Sequence, residues 1–128
     1  MRFYVVLLSC ILLFQCCGRP NGFIVTDYLE SNWLEYDFGE LKSGTTKECE
    51  LLLTNISSKA IIIDSLIPSC NCIEVSNSKR KIRSLETVSI KIKYHSSGHV
   101  HGQIEQSIIV LIKDKENPIL FTLQANVI

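Results

Sequence analysis

A chain of 128 residues accommodates one domain and a short tail. With 46% apolar and 20% charged residues it is too hydrophobic for a disordered chain and too mixed for a polytopic membrane protein. Thirteen Lys plus Arg balance thirteen Asp plus Glu, so the basic excess of a nucleic-acid binder is missing and no nucleic-acid partner is expected.

The N-terminus reads as a processing segment. Arg2 supplies one positive charge, and Phe3 to Phe14 is apolar apart from Ser9 and Cys10. Crossing a bilayer as a helix takes about 20 apolar residues, so this run is short for a span but suits a secretory signal. Cys16 and Cys17 follow directly, resembling the lipobox of bacterial lipoproteins. There the thiol is acylated and becomes the first residue of the mature chain. Cys16 has Leu13 three positions earlier, and Cys17 has a small residue before it, so the pair is kept open as the lipidation site. Residues 1–16 are thus expected to be a signal peptide. Residues 17–32 are expected to be a tether, opened by Gly18, Pro20, Asn21 and Gly22. The expectation is a lipid-anchored protein of the cell envelope, where disulfides persist.

From Trp33 the chain alternates short apolar strands with turn residues. The first strand runs Trp33–Gly39, with Tyr36 and Phe38 inward and Asp37 outward as a turn former. Thr45–Thr54 is the second and Ala60–Ile67, rich in isoleucine, the third. Pro68 to Asn71 breaks the pattern before a short piece, Cys72–Val75. Ser76–Lys81 is a polar loop. Thr87–Tyr94 alternates cleanly with apolar residues at even numbers. Gln103–Ile112 and Ile119–Val127 complete the set. About seven strands and no helical stripe after the signal segment predict an all-β, immunoglobulin-like sandwich over residues 33–128. The expected core is Tyr36, Phe38, Leu51, Leu53, Ile61, Ile63, Ile90, Ile92, Ile108 and Val110.

Three segments in order carry a family resemblance: Tyr36-Asp37-Phe38-Gly39-Glu40-Leu41 with Gly44, then Leu51-Leu52-Leu53-Thr54-Asn55, then Ser69-Cys70-Asn71-Cys72. They resemble a family of exported domains common in Bacteroidota lipoproteins, reading roughly FDFG-x-[IL]-x-x-G, F-x-F-x-N and S-C-G-C-T. That family has no assigned biochemical function. It is similar in turn to immunoglobulin-like ASH and major-sperm-protein domains. The chain departs from the pattern at Asn71, where the family has Gly, and at Ser84-Leu85, where it has a Pro-Gly turn. It departs again at His95 and Ala125.

Chemistry-bearing residues are few. Cys70 and Cys72 could pair with each other, closing a three-residue ring worth about 1.6 kcal/mol on the loop-entropy model. Cys49 could instead pair with either, closing a loop of roughly 22–24 residues worth about 3.4 kcal/mol. Cys49 shares the inward face of Leu51 and Leu53. At least one of Cys70 and Cys72 is expected to be disulfide-bonded, and the C-x-C ring would be the more reducible arrangement. His99 and His101 form a His-x-His that, with these cysteines, would be a weak soft-metal set. The C-x-C spacing does not match the C-x2-C of zinc sites. Lys79, Arg80, Lys81 and Arg83 form a basic run, read as a solvated loop. No Ser-His-Asp order, paired-carboxylate motif or glycine-rich phosphate loop appears. The sequence therefore points to a non-enzyme without a cofactor. It would bind the membrane through its anchor, and another envelope protein or a glycan through its domain. Thiol-redox or soft-metal handling at Cys70-x-Cys72 is the alternative.

Overall fold

The computed structural model describes residues 22–77, 79–96 and 101–128. Ten strand segments, and no helix, appear among them: β1 (Phe23–Ile24), β2 (Leu29–Ser31), β3 (Glu35–Leu41), β4 (Thr46–Asn55), β5 (Ile61–Pro68), β6 (Ile73–Ser76), β7 (Lys81–Ile82), β8 (Thr87–His95), β9 (Gly102–Ile112) and β10 (Ile119–Val127). They form two five-stranded sheets, one ordered β1-β2-β4-β8-β6 and the other β3-β10-β9-β5-β7. Every pairing is antiparallel except β3 with β10, which is parallel. The predicted sandwich is what the chain forms. Its three extra segments, β1, β2 and β7, are two or three residues long and carry little period-two signal.

The inner faces follow the expected alternation. Leu51, Leu53, Ile61, Ile63, Ile90, Ile92, Ile108 and Val110 are all buried. Phe121, Leu123 and Val127 of β10 join them. Tyr36 and Phe38 differ from expectation in degree: they are half-buried and packed against the core from the edge strand β3. An aromatic string runs through them, from Phe121 to Trp33, Tyr36, Phe38 and Tyr94, with neighbouring ring centroids 5.0–5.8 Å apart. Since Tyr94 lies on β8, the string ties one sheet to the other.

The described part of the stretch expected to be tether, residues 22–32, holds structure. From Phe23 the chain pairs with itself, and Leu29, Glu30 and Ser31 pair with β4. Leu29 is fully buried and Tyr28 nearly so. Tyr28 and Leu29 side by side between Asp27 and Glu30 give no period to read, and only the partner strand reveals them. The edge is then finished by side chains. Asn32 donates from its amide nitrogen to the Glu50 carbonyl at 3.1 Å and accepts from the Leu52 N–H at 2.9 Å. Trp33 donates its indole N–H to the same Glu50 carbonyl at 2.9 Å.

Two irregularities set which residues face inward. In the β3–β10 pair, Asp37 stands opposite Gln124, but Glu40 stands opposite Asn126, so β3 carries one extra residue. Gly39 takes φ +74° there, a left-handed conformation that suits glycine. The bulge moves the inward face from even to odd numbers. Leu41 is thereby buried and Glu40 exposed, where strict alternation would bury the glutamate. A second register shift, between Ile63 and Ser65, does the same for β5, taking the inward set from Ile61 and Ile63 to Leu66.

Candidate functional site

The three motifs converge on chemistry that is internal to the fold. Asp37 is exposed, and its carboxylate accepts the Gly39 N–H at 2.7 Å, holding the bulge. This is the turn-forming role expected of it. Asn55 ends β4 and is fully buried. Its amide nitrogen donates to the Lys59 carbonyl at 2.7 Å and the Ile82 carbonyl at 2.9 Å. Its amide oxygen accepts from the Ser57 N–H at 3.0 Å and the Ser57 hydroxyl at 2.6 Å. One side chain thus closes the β4–β5 turn and fastens β7 to it. Although Asn55-Ile56-Ser57 spells a glycosylation sequon, that amide is inaccessible and fully engaged.

Ser69, Cys70 and Cys72 mark the point where the chain leaves one sheet for the other, between β5 and β6. Ser69 extends the pairing with β9. Its N–H donates to the Ser107 carbonyl at 2.8 Å, and its hydroxyl accepts the Ser107 N–H at 2.9 Å. Cys70 and Cys72 are joined across Asn71, with Cα atoms 5.2 Å apart. The Cys72 carbonyl then accepts the His95 N–H at 2.8 Å, fixing the crossover to β8. Both cysteines are half-buried against the core.

Cys49 is not part of this arrangement. It lies opposite Ile92 in the β4–β8 pair, inward-facing as expected, and is a free thiol. The long bridge weighed from the sequence is therefore absent. Cys49 sits three residues along β4 from Thr46, the pairing partner of His95, to which the crossover is tied. Burial pushes its thiol up to about 11, so it carries little thiolate at neutral pH.

The histidines divide. His101 is exposed at the foot of β9, and His99 lies outside the described residues, as do Cys16 and Cys17. Among the described residues no cluster of three or more His, Cys, Asp or Glu side chains could hold a metal ion. His95, marked in the sequence by its departure from the family pattern, ends β8. Its Nδ1 lies 2.8 Å from the Thr46 hydroxyl and its Nε2 3.2 Å from a Glu74 carboxylate oxygen. These three residues lie on three adjacent strands, and pairing registers alone could have revealed them. They make an exposed contact of hydroxyl, imidazole and carboxylate on the outer face of the sheet. Ser96 was missed. It is buried, and its hydroxyl holds the β3–β4 turn through the Lys42 and Thr45 carbonyls at 2.9 and 3.1 Å.

Two open depressions lie at one end of the sandwich. The larger, about 450 Å³, is bounded by Thr26, Asp27, Tyr28 and residues 114–117. The other, about 290 Å³, is bounded by Ser57 to Ile62 and residues 113–115. Lys115 spans the region, its ammonium 4.5 Å from the centre of the Tyr28 ring. No helix among the described residues is long and apolar enough to cross a membrane.

The fold is an immunoglobulin-like sandwich, similar to domains of the ASH/PapD-like kind. The ASH/PapD-like domain 7 of human CEP192 superposes with a TM-score of 0.67 at 16% identity, over 86% of this chain and 92% of that one. The chain belongs to the family described as protein of unknown function DUF1573, whose model matches residues 29–127. A protein of unknown function from Porphyromonas gingivalis W83 matches with a TM-score of 0.65 at 13% identity, over 77% of this chain and 46% of its own length. A family 123 glycoside hydrolase from Clostridium perfringens matches at 0.63 and 14% identity, over 76% of this chain but 23% of the hydrolase. The chain thus spans less than half of these last two proteins. No curated protein matches the sequence.

Proposed function

We propose that this protein is an exported, lipid-anchored envelope component whose immunoglobulin-like domain works by binding rather than by catalysis. The observation that carries the reading is how the motif side chains are spent. Asn55 directs both amide atoms at its turn and at β7, the Asp37 carboxylate accepts the Gly39 N–H, and the Ser69 hydroxyl joins Ser107 and the Gln106 side chain of β9. Residues that define the motifs are therefore used to build the scaffold, which leaves contact to strand edges and end loops. The apolar segment before Cys16 and Cys17 supports the anchoring half of the proposal.

The two halves are tested separately. Replacing both Cys16 and Cys17 with Ser should move the chain from membrane to soluble fractions, and mass spectrometry of the wild type should find acyl chains. A membrane-bound double variant and a wild type free of fatty acid would refute the anchor. Affinity capture of the full chain from its own envelope should then recover a specific protein or glycan. Recovery of none, with an intact fold, would favour a spacer role.

The Cys70–Cys72 bond supports a second reading, thiol–disulfide exchange with a dithiol partner. In that reaction a partner thiolate attacks one sulfur and forms a mixed disulfide, releasing the other cysteine as a thiolate. The partner's second thiol then displaces the first cysteine, leaving the partner oxidised and this pair reduced. Equilibration with a dithiol redox buffer tests it. A pair that stays oxidised across the range of cellular dithiols excludes the reading.

A further inference from the structure

We propose that the outer face of the β3-β10-β9-β5-β7 sheet is a self-association surface on which two copies of the chain meet face to face. The face is apolar in the middle. Leu120 of β10 stands opposite Ile109 of β9, and Ile109 stands opposite Ile67 of β5, so three aliphatic side chains form one row across three strands. Leu120 is 57% exposed and Ile67 45% exposed, and neither has a covering element among the described residues. Leu111, two residues along β9, widens the row, and Ile62 of β5 extends it towards β7. Solitary exposed aliphatics are ordinary, but a cross-strand row at the centre of a five-stranded face is not.

Charge on the same face says what covers it. One corner is acidic: Glu35, Asp37 and Glu40 project outward from β3, and Glu105 lies in the same row as Asp37, both flanking Gln124. Lys42, just past β3, offsets one of these. The diagonally opposite corner is basic. Lys81 stands beside Ile62, Lys113 donates its N–H to the Ile62 carbonyl, and Arg80 reaches the Asp64 carbonyl at 2.8 Å. Asp64 and Asp114 reduce that charge but do not reverse it.

A two-fold axis lying in the face, through the apolar row and across this diagonal, lays the acidic corner of one copy on the basic corner of the other. Both corners are satisfied at once, as a closed isologous contact requires. The pattern is an apolar centre with a complementary charged rim, complementary to itself. The inference stands apart from the lipid anchor, and a monomeric result would leave the fractionation and capture experiments above unaffected.

The test uses the full chain in mild detergent, followed by sedimentation across a concentration series. The wild type should show a monomer–dimer equilibrium that weakens with salt. Leu120→Glu, on the exposed side of β10, should weaken the dimer on the order of thirtyfold or more while leaving the melting curve of the dilute, monomeric chain in place. Reversing the acidic corner (Glu35→Lys with Glu105→Lys) should give monomers, as should reversing the basic corner (Lys81→Glu with Lys113→Glu). Mixing the two charge variants should restore dimers, because each then presents the complement of the other. A wild type that stays monomeric at ~100 μM, a dimer indifferent to Leu120→Glu, or charge variants that fail to rescue each other would overturn the proposal. A photo-cross-linker at Ile109 that captures a foreign protein or lipid in place of a second copy would overturn it as well.

Discussion

Replacing Asn55 with Ala should destabilise the domain more than any other single polar change. The side chain is fully buried and makes four hydrogen bonds, two as donor and two as acceptor. A net contribution of about 1 kcal/mol per bond sets the scale, and a buried group left without a partner costs about 1–3 kcal/mol. The Ser57 hydroxyl also reaches the Lys59 carbonyl, at 2.9 Å, so part of the turn survives. The Ile82 carbonyl loses its amide donor in a buried setting. Together these give a loss of about 3 kcal/mol, or a fall in Tm of roughly 12–20 °C for a domain near 100 residues. Urea unfolding followed by tryptophan fluorescence reads it well, because the single Trp33 is buried. Ser89→Ala, on the exposed face of β8, is the control and should cost little. An Asn55→Ala loss below about 1 kcal/mol would refute the reasoning, since the network would then be closed by water or by its other members.

Four further outcomes follow from the structure. Ile63→Ala should cost about 2–5 kcal/mol, against almost nothing for Ser89→Ala, and equal effects in urea melts would mean the register is wrong. Leu85 takes φ +62° and is 77% exposed, so Leu85→Gly should stabilise the chain by roughly 1 kcal/mol, net of the added freedom of the unfolded state; a loss of stability would refute it. Gly39→Ala should cost about 1–2 kcal/mol through backbone strain alone, because a Cβ there meets nothing within 4 Å; a neutral result in the same melts would show that the bulge shifts freely. Cys49 should resist alkylation at pH 8 in the native chain. Its folded pKa is raised from 9.0 to about 11, so the stability linked to the neutral thiol is intact below pH 9 and is lost as pH climbs through 11. Rapid native labelling of Cys49 would contradict its burial.

The sequence by itself determined the class of fold and most of the core. Alternation over Thr87–Tyr94 and Ile119–Val127 is legible because one face of each strand is buried and the other wet, a period that needs no knowledge of the partner. It also marked the Cys70-x-Cys72 pair as distinctive and Asp37 as a turn former. It left open whether the cysteines bond to each other or to Cys49, because ring size alone does not place three sulfurs in space. The tertiary structure decided what depends on pairing between distant segments. Leu29 became core because β2 lies on β4, and Leu41 replaced Glu40 on the inner face because β3 bulges against β10. His95 met Thr46 and Glu74 only once β4, β8 and β6 lay side by side. The row of Leu120, Ile109 and Ile67 joins residues up to 53 positions apart in sequence, and exists only through the registers of β10 with β9 and β9 with β5. Local patterning fixes which face of a strand is apolar; only strand partners fix which neighbours that face acquires.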